Sequence, residues 1–295
     1  MPTIGRLVTA LFVVTAALPA CAQQPPESNA RVEAQQSAGD LVRDVIYNEL
    51  HDREHDSHWE YRSECLSGEK NLVREQVETD RGPIFRLIEQ NGTPLDAKQE
   101  AREDERLDAY IQSPGQVARV EHAHQEDEAR LASVMAMLPQ AFLFDYESAA
   151  AGNAVRIGFR PNPNFLPAGY EARIVHALTG ALMVEARLKR MIDMRGTLAE
   201  RVDFGYGFLG HIEKGGTFEI HRRQVSATHW KTDLVEVHIE GKVLMLKTVS
   251  KDQREARTDF RPVPRGTTLA EAREMLEAKS AGTQARLIPA AAREK

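Results

Sequence analysis

The sharpest chemical pattern in the sequence is the pentapeptide His51-Asp52-Arg53-Glu54-His55. It matches the H-x-x-E-H pattern of inverzincin peptidases, in which two histidines one helical turn apart bind zinc and the glutamate activates a water molecule. The pattern is short, charged residues surround both histidines, and no later acidic helical motif supplies a third zinc ligand. The end of a polar helix therefore explains the pentapeptide more simply, and zinc hydrolysis stays the alternative.

The sequence contains no signature of the other common reaction types. It has no serine nucleophile elbow, no P-loop and no dinucleotide-binding fingerprint, because its Gly205-Tyr206-Gly207 and Gly215-Gly216 segments lie in strand and hairpin contexts. Lysine and arginine number 38 against 44 aspartates and glutamates, which gives a net charge of −6 and no basic excess suited to nucleic acid. The sequence thus predicts a protein that is not an enzyme, needs no cofactor and has no nucleic-acid partner.

The N-terminus is typical of an export signal. One positive side chain, Arg6, precedes the apolar stretch 7–18, and residues 19–22 form a small-residue cleavage region. The tripeptide Ala20-Cys21-Ala22 favours cleavage after Ala22, whereas in the alternative Cys21 ends an imperfect lipobox and becomes the acylated first residue of a lipoprotein. We expect a signal peptide over 1–22, a polar linker over 23–39, and a periplasmic or secreted protein, or one tethered to a membrane through Cys21.

The rest of the chain alternates between helical and strand-like patterns. Asp40 is predicted to cap a first helix, and from Trp59 the hydrophobic period changes to two, which indicates a strand. Residues 95–110 predict a solvated helix, and a longer helix follows residue 113. The capping-box pattern of Thr268 and Glu271 then opens a C-terminal helix. The apolar stripe of the longer helix consists of Val117, Val120, Leu131, Val134, Met135 and Leu138.

Residues 178–250 are interpreted as an antiparallel β-meander. Apolar and polar side chains alternate within its segments, so one face of the predicted sheet is apolar. Thr179-Gly180, Gly215-Gly216 and Glu240-Gly241 fall between these segments, where tight hairpins need residues with positive φ. The apolar face must be covered, either by helices or by an apolar ligand.

The apolar face defines the candidate site. It offers more apolar surface than the predicted amphipathic helices need to bury, which favours a ligand cavity. Plain core packing is the competing interpretation for each residue taken singly. The candidate ligand-binding residues are the aromatic side chains of this face: Trp59, Tyr61, Phe142, Phe144, Tyr146, Phe159, Phe204, Tyr206 and Phe208.

The order of these segments resembles a known family. A helix ending in NELHDREHDSHWEYR, a first strand pair, a helical excursion, and the segments from ALTGALMVEARL to WKTDLVEVHIEGKVLMLKTVS are similar to the outer-membrane lipoprotein-sorting (LolA-like) group of periplasmic proteins. The resemblance covers residues 40–262. It implies an unclosed antiparallel β-barrel of about eleven strands with helices on its concave face, and a cavity that holds acyl chains.

These observations predict a β-rich α+β protein with a LolA-like open β-barrel domain over 40–265 and a C-terminal helix and tail over 266–295. The expected function is binding of an acyl chain, a lipid or an acylated protein in the barrel cavity, in envelope lipid or lipoprotein trafficking. One alternative is a zinc metallohydrolase that uses His51, Glu54 and His55. The other is a structural envelope lipoprotein without a ligand.

Overall fold

The computed structural model describes residues 36–55, 58–149, 152–204, 210–243 and 247–287. From Ser37 onward they belong to one compact unit. The predicted signal peptide, Cys21 and nearly all of the predicted linker lie outside the described residues. The first helix begins at Ala38 rather than after Asp40, because Ser37 Oγ accepts a hydrogen bond from the Asp40 backbone N–H at 3.1 Å and so caps the helix.

The described residues contain five helices and thirteen strands. The helices are α1 (Ala38–His55), α2 (Ala97–Ile111), α3 (Pro114–Ala141), α4 (Tyr170–His176) and α5 (Leu269–Leu287). The strands are β1 (His58–Ser67), β2 (Lys70–Val77), β3 (Ile84–Gln90), β4 (Thr93–Pro94), β5 (Phe142–Ala149), β6 (Ala154–Pro161), β7 (Leu178–Glu185), β8 (Arg190–Leu198), β9 (Val202–Phe204), β10 (Gly210–Ile212), β11 (Thr217–Gln224), β12 (Trp230–Val243) and β13 (Lys247–Val263). Of the helices in the described part of the chain, none has the length and apolar character needed to cross a membrane.

The strands form one antiparallel sheet. Its order is β4-β3-β2-β1-β13-β12-β11-β8-β7-β6-β5, and beside this path β10 pairs with β12 and with β9. Because β1 pairs with β13, strands from the two ends of the domain meet in the middle of the sheet. Within the described residues the outermost strands, β4 and β5, do not pair with each other, so the sheet is unclosed. The predicted open, β-rich α+β fold is confirmed.

The main core lies on one face of the sheet, which we call the inner face. Helix α1 packs there against β5 and β8, and α3 packs against α1 and β5. Val42 and Val45 of α1 are buried together with Ile157 of β6 and Leu182 of β7. The helix residues lie three positions apart and the strand residues pair directly, so each element presents a single apolar side to the other.

A second core lies where α5 packs against β2 and β3. Val77 and Ile84, which pair across these strands, are buried together with Leu107 of α2, Val117 of α3 and Leu276 of α5. The C-terminal helix is therefore part of the packing of the sheet rather than an appendage to it.

The predicted capping box at the start of α5 is confirmed. The Glu271 backbone N–H donates to Thr268 Oγ1 at 3.2 Å, and the Thr268 backbone N–H donates to the Glu271 carboxylate at 2.8 Å. Two backbone donors that the helix itself leaves unpaired are thus satisfied by local side chains.

Two of the three predicted glycine turns are wrong. Gly215 does occupy the turn before β11, with φ of 90°, but Gly180 and Gly241 lie inside β7 and β12. A Cβ atom on Gly180 would lie 2.0 Å from the Arg195 carbonyl oxygen, and one on Gly241 would lie 2.3 Å from the His211 carbonyl oxygen. These two glycines allow neighbouring backbones to approach closely, which is the other reason for glycine in a strand.

Candidate ligand-binding site

The structure separates five of the predicted aromatic residues into two groups, one in the main core and one on strand β1. Phe142 and Phe159 are buried in the main core with ring centroids 4.7 Å apart, and Phe144 packs against that core. Trp59 and Tyr61 lie further along the inner face on β1 and are only 2% and 3% exposed. The helices that cover β5 and β6 thus pack directly on the phenylalanine group, whereas the β1 pair lies apart from it.

The remaining aromatic residues of the predicted set are dispersed. Tyr146 is 42% exposed, and Phe204 lies in a small separate cluster with its ring edge against Tyr170, at a centroid distance of 5.3 Å. Tyr206 and Phe208 lie outside the described residues. The structure does not bring the described members of the set into one cavity.

The pentapeptide at residues 51–55 forms the last turn of α1. The His51 ring stacks on Tyr47 at a centroid distance of 3.8 Å, and His51 Nδ1 lies 2.8 Å from the Tyr47 carbonyl oxygen. The side chains of Glu54 and His55 are outside those that the structure describes. Among the described residues, no three or more histidine, cysteine, aspartate or glutamate side chains are grouped to hold a metal ion.

The two ends of helix α3 pack in the two cores, whereas its middle part is not buried. Val117 is buried in the second core and Leu138 and Ala141 in the main core, against which Val134, Met135 and Met137 also pack, but no residue of α3 between Val117 and Val134 is buried. The predicted apolar stripe is therefore interrupted, with Val120 38% exposed and Leu131 41% exposed. A helical segment that is polar or exposed on all sides is typical of one that bridges space rather than covers a core.

A cavity of about 440 Å³ lies between this middle part of α3 and the inner face of the sheet. Its aromatic wall contains Tyr61, Trp230 and Phe260, and the Tyr61 and Phe260 rings lie 5.3 Å apart. Gln76 Nε2 donates to Tyr61 Oη at 2.6 Å, and burial raises the pKa of the Tyr61 phenol, which therefore stays neutral. His124 closes the cavity from the side of α3.

Arg222 enters the cavity from β11. Its guanidinium forms an ion pair with Glu49 of α1, and its Nη2 donates to the Trp230 carbonyl oxygen at 2.9 Å. Its Nε is buried and has no hydrogen-bond partner. Burial lowers the pKa of Arg222 to about 10, so the guanidinium is still charged at neutral pH.

Two further basic side chains line the cavity from the next strands. Lys231 Nζ of β12 lies 5.5 Å from the centroid of the Trp59 ring, and the Arg257 guanidinium of β13 lies 5.4 Å from the centroid of Tyr61. Arg257 Nε also donates to Glu255 Oε1 at 2.8 Å. Cations over aromatic faces are stabilised by the ring quadrupole, which holds both side chains against this wall.

Two carboxylates and a histidine also line the cavity, and one of the two ring nitrogens of this histidine has no hydrogen-bond partner. Glu78 Oε2 lies 3.9 Å from Lys231 Nζ, and Glu128 of α3 is exposed at the rim. His58 Nε2 lies 3.4 Å from Asp80 Oδ1, while His58 Nδ1 is buried without a hydrogen-bond partner. Three basic and two acidic side chains line the cavity, and each basic side chain has a carboxylate partner: Arg222 pairs with Glu49, Lys231 with Glu78 and Arg257 with Glu255.

A larger depression of about 750 Å³ lies on the opposite, outer face of the sheet. Its charged side chains pair with one another, as in Arg195 with Glu219 at 3.0 Å and Arg254 with Glu236 at 2.7 Å. Neutralised pairs along an open strand face are typical of a solvated sheet surface. We therefore place the candidate site in the smaller cavity, where buried polar atoms lack partners.

The basic residues of the cavity are not among the residues predicted from the sequence. One signal was available, because Arg222 follows Phe218 and Ile220 at a spacing of two and so interrupts the apolar face of β11 with a charge. Lys231 and Arg257 gave no comparable signal. Their positions depend on the pairing of β11, β12 and β13, and the β11–β12 pair is shifted by an irregularity next to Arg222.

Comparison of the chain with protein-family models, curated proteins and solved structures finds no match. The geometry of the cavity is the basis on which a function can be proposed.

Proposed function

We propose that this protein is a non-enzymatic binding protein of the cell envelope and that its ligand is an amphiphile, a molecule with an acyl chain and a polar head. The observation that carries the proposal is the cavity between the middle of α3 and the inner face of the sheet. Its volume of about 440 Å³ falls within the range of roughly 300–1,000 Å³ that is usual for small-molecule sites.

The lining of the cavity suits a ligand of mixed character. Tyr61, Trp230 and Phe260 supply aromatic surface against which a hydrocarbon chain can pack. Arg222 and Lys231 supply charged groups in the same space. Sites that hold one ligand in one orientation combine an apolar wall with a few fixed polar groups, as this cavity does.

The middle of α3 provides the route of entry. Its contacts with the β2–β3 turn include an ion pair between Arg81 Nε and Glu121 at 3.1 Å, and His124 lies beside Gly82, where a Cβ atom would be 3.5 Å from it. A solvent-exposed ion pair stabilises by about 0–1 kcal/mol, so separating this part of α3 from the sheet costs little. The ends of α3 are held in the two cores, and we expect the ligand to enter between them.

The proposed site differs in place from the aromatic site that the sequence predicts. It keeps Tyr61, with Trp59 directly beside it beneath Lys231, whereas Phe142 and Phe159 stabilise the main core. The location in the envelope rests on the export signal, with acylated Cys21 as the alternative means of attachment.

Replacing Phe260 with alanine tests the proposal. Phe260 is half-buried and lies against Tyr61. Without its contact with the acyl chain of the ligand, the binding free energy should weaken by about 1 kcal/mol, which raises the Kd for a fluorescent fatty acid about fivefold. Leu66→Ala is the matched control, because Leu66 is 42% exposed and lines the outer depression instead. A wild-type protein that binds no acyl probe, or a loss caused by Leu66→Ala alone, would refute the proposal.

Native mass spectrometry of protein purified from its own envelope fraction provides an independent test. Retained lipid that Phe260→Ala releases would support the proposed site. Retained stoichiometric zinc without lipid would support the metallohydrolase alternative and contradict the proposal.

A further inference from the structure

We infer that the polar head of the ligand is uncharged and is bound through its hydroxyl or ester oxygen atoms by the neutral pair of Tyr61 and Gln76. The inference rests on the proposed binding of an amphiphile and adds the charge and chemical class of its head. It comes from the way in which the protein's own side chains already neutralise the arginines and the lysine of the cavity.

An anionic head finds no uncompensated positive charge in the cavity. Arg222, Lys231 and Arg257 each pair with a carboxylate of the protein. An anion would have to compete with these carboxylates, and it would bring a charge without a counter-charge into a space that is partly screened from solvent. The lining therefore disfavours a carboxylate or phosphate head.

A cationic head is disfavoured for a different reason. Cations bind over the faces of aromatic rings, but two of the three rings of the aromatic wall already have a cation of the protein beside them. The Arg257 guanidinium lies 5.4 Å from the centroid of Tyr61, and that of Arg223 lies 5.5 Å from the centroid of Phe260. A second cation at either ring would be repelled by the first.

Tyr61 and Gln76 provide hydrogen-bonding capacity without charge. Gln76 Nε2 donates to Tyr61 Oη at 2.6 Å, and among the described residues no group accepts the hydroxyl proton of Tyr61 or donates to the amide oxygen of Gln76. Burial raises the pKa of Tyr61, so its hydroxyl remains a donor.

Both side chains are within reach of a ligand. Tyr61 is 3% exposed and Gln76 is half-buried, and both line the cavity beside the aromatic wall. A ligand hydroxyl can accept from Tyr61 and donate to Gln76, and an ester carbonyl oxygen can accept from Tyr61. The pair thus matches the head of a neutral amphiphile such as a glycerol ester.

Water is the competing occupant, because a water molecule also donates and accepts hydrogen bonds. The two occupants differ in a measurable way. When water alone occupies this part of the cavity, the head of an amphiphile stays outside, and its chemistry does not alter the affinity.

The test compares three ligands that share a decyl or decanoyl chain and differ in the head. Isothermal titration at neutral pH, below the critical micelle concentrations, would measure monodecanoylglycerol as the neutral ligand, decanoate as the anion and decyltrimethylammonium as the cation. We expect the glycerol ester to bind at least about fivefold more tightly than either ion, with an affinity that does not change as salt is added. A fatty-acid probe still binds through its chain, but more weakly than the ester.

Two variants locate the head. Tyr61→Phe removes only the hydroxyl and should weaken binding of monodecanoylglycerol about fivefold, whereas decyltrimethylammonium, whose head forms no hydrogen bond, should bind unchanged. Gln76→Met should have the same effect. Tyr47→Phe is the matched control, because Tyr47 on α1 is 60% exposed and lies outside the lining of the cavity. Thermal melts of all variants confirm folding, and either cavity variant suffices when the other unfolds.

The outcomes separate this inference from the proposed function. Three results overturn the uncharged head and leave amphiphile binding in place: tighter binding of either ion than of the glycerol ester, equal binding of all three ligands, or an ester affinity unchanged in both cavity variants. Binding of none of the three ligands overturns the proposed function itself, and the inference with it.

Discussion

The ion pair between Arg222 and Glu49 joins the cavity to the main core, and its removal should destabilise the protein strongly. Glu49 lies on α1 with its side chain only 2% exposed, whereas the Arg222 side chain on β11 is 15% exposed. Arg222→Met would leave the Glu49 carboxylate buried without a counter-charge. The usual cost of such a change is about 3–5 kcal/mol, a large part of the total stability of an ordinary domain.

The reverse change should cost less, because the two partners are not equally buried. Glu49→Leu leaves the Arg222 guanidinium next to a cavity that contains other polar groups, and we expect a loss of about 2 kcal/mol. The double variant Arg222→Met/Glu49→Leu replaces the pair with apolar side chains. Since it strands no charge, it should lie within about 1 kcal/mol of the wild-type stability.

Urea unfolding followed by tryptophan fluorescence measures these differences. The chain has two tryptophans, and Trp230 lies beside the pair since its carbonyl oxygen accepts from Arg222. The double-mutant cycle should give a coupling free energy well above 2 kcal/mol. A loss below about 1 kcal/mol for Arg222→Met, or a double variant as unstable as the sum of the single variants, would show that Glu49 and Arg222 are not a buried pair.

Four further predictions concern the packing, the capping and the processing of the chain. Phe159→Ala should lower the free energy of unfolding by about 3–5 kcal/mol by opening a void in the core, while acyl-probe affinity of the folded protein stays unchanged; a loss of affinity in the folded variant would place Phe159 in the site. Thr268→Ala should cost about 1 kcal/mol in urea unfolding, and an unchanged midpoint would contradict this capping role. Hydrogen bonds from Thr268 lower the pKa of Glu271, so its stabilisation is present above the ordinary value of 4.5 and is lost as the pH falls through the lowered pKa; melting temperatures of wild type and Glu271→Gln should therefore converge in acid, and a constant difference would oppose this. Intact mass of the exported protein should show Gln23 as the first residue, whereas a diacyl or triacyl mass on Cys21 would establish the lipoprotein alternative.

Much of the fold was predictable because its signals are local. The alternation that begins at Trp59 predicts β1, since a strand half-covered by other elements exposes every second side chain to the core. The capping box of Thr268 and Glu271 needs only four consecutive residues, and it starts α5 as predicted. Signals of this kind are the same whatever the element packs against.

Glycine and the long helix were harder to interpret, because their roles depend on distant residues. Gly180 sits in mid-strand since the Arg195 backbone approaches it, and a local pattern cannot distinguish this from a turn. Val120 and Leu131 continue an apolar stripe in the sequence, yet they are exposed where α3 bridges the two cores.

The sequence by itself determined the kinds of element, their order and the alternation that gives an open antiparallel sheet. Only the tertiary structure decided which part of the inner face is a packed core and which part is a cavity. Phe159 and Tyr61 carry the same pattern along their strands, but helices fill the space opposite Phe159, whereas opposite Tyr61 the middle of α3 leaves a cavity. Arg222, Lys231 and Arg257 meet there because strand pairing joins residues far apart in the chain, and the register of that pairing is a property of the whole sheet.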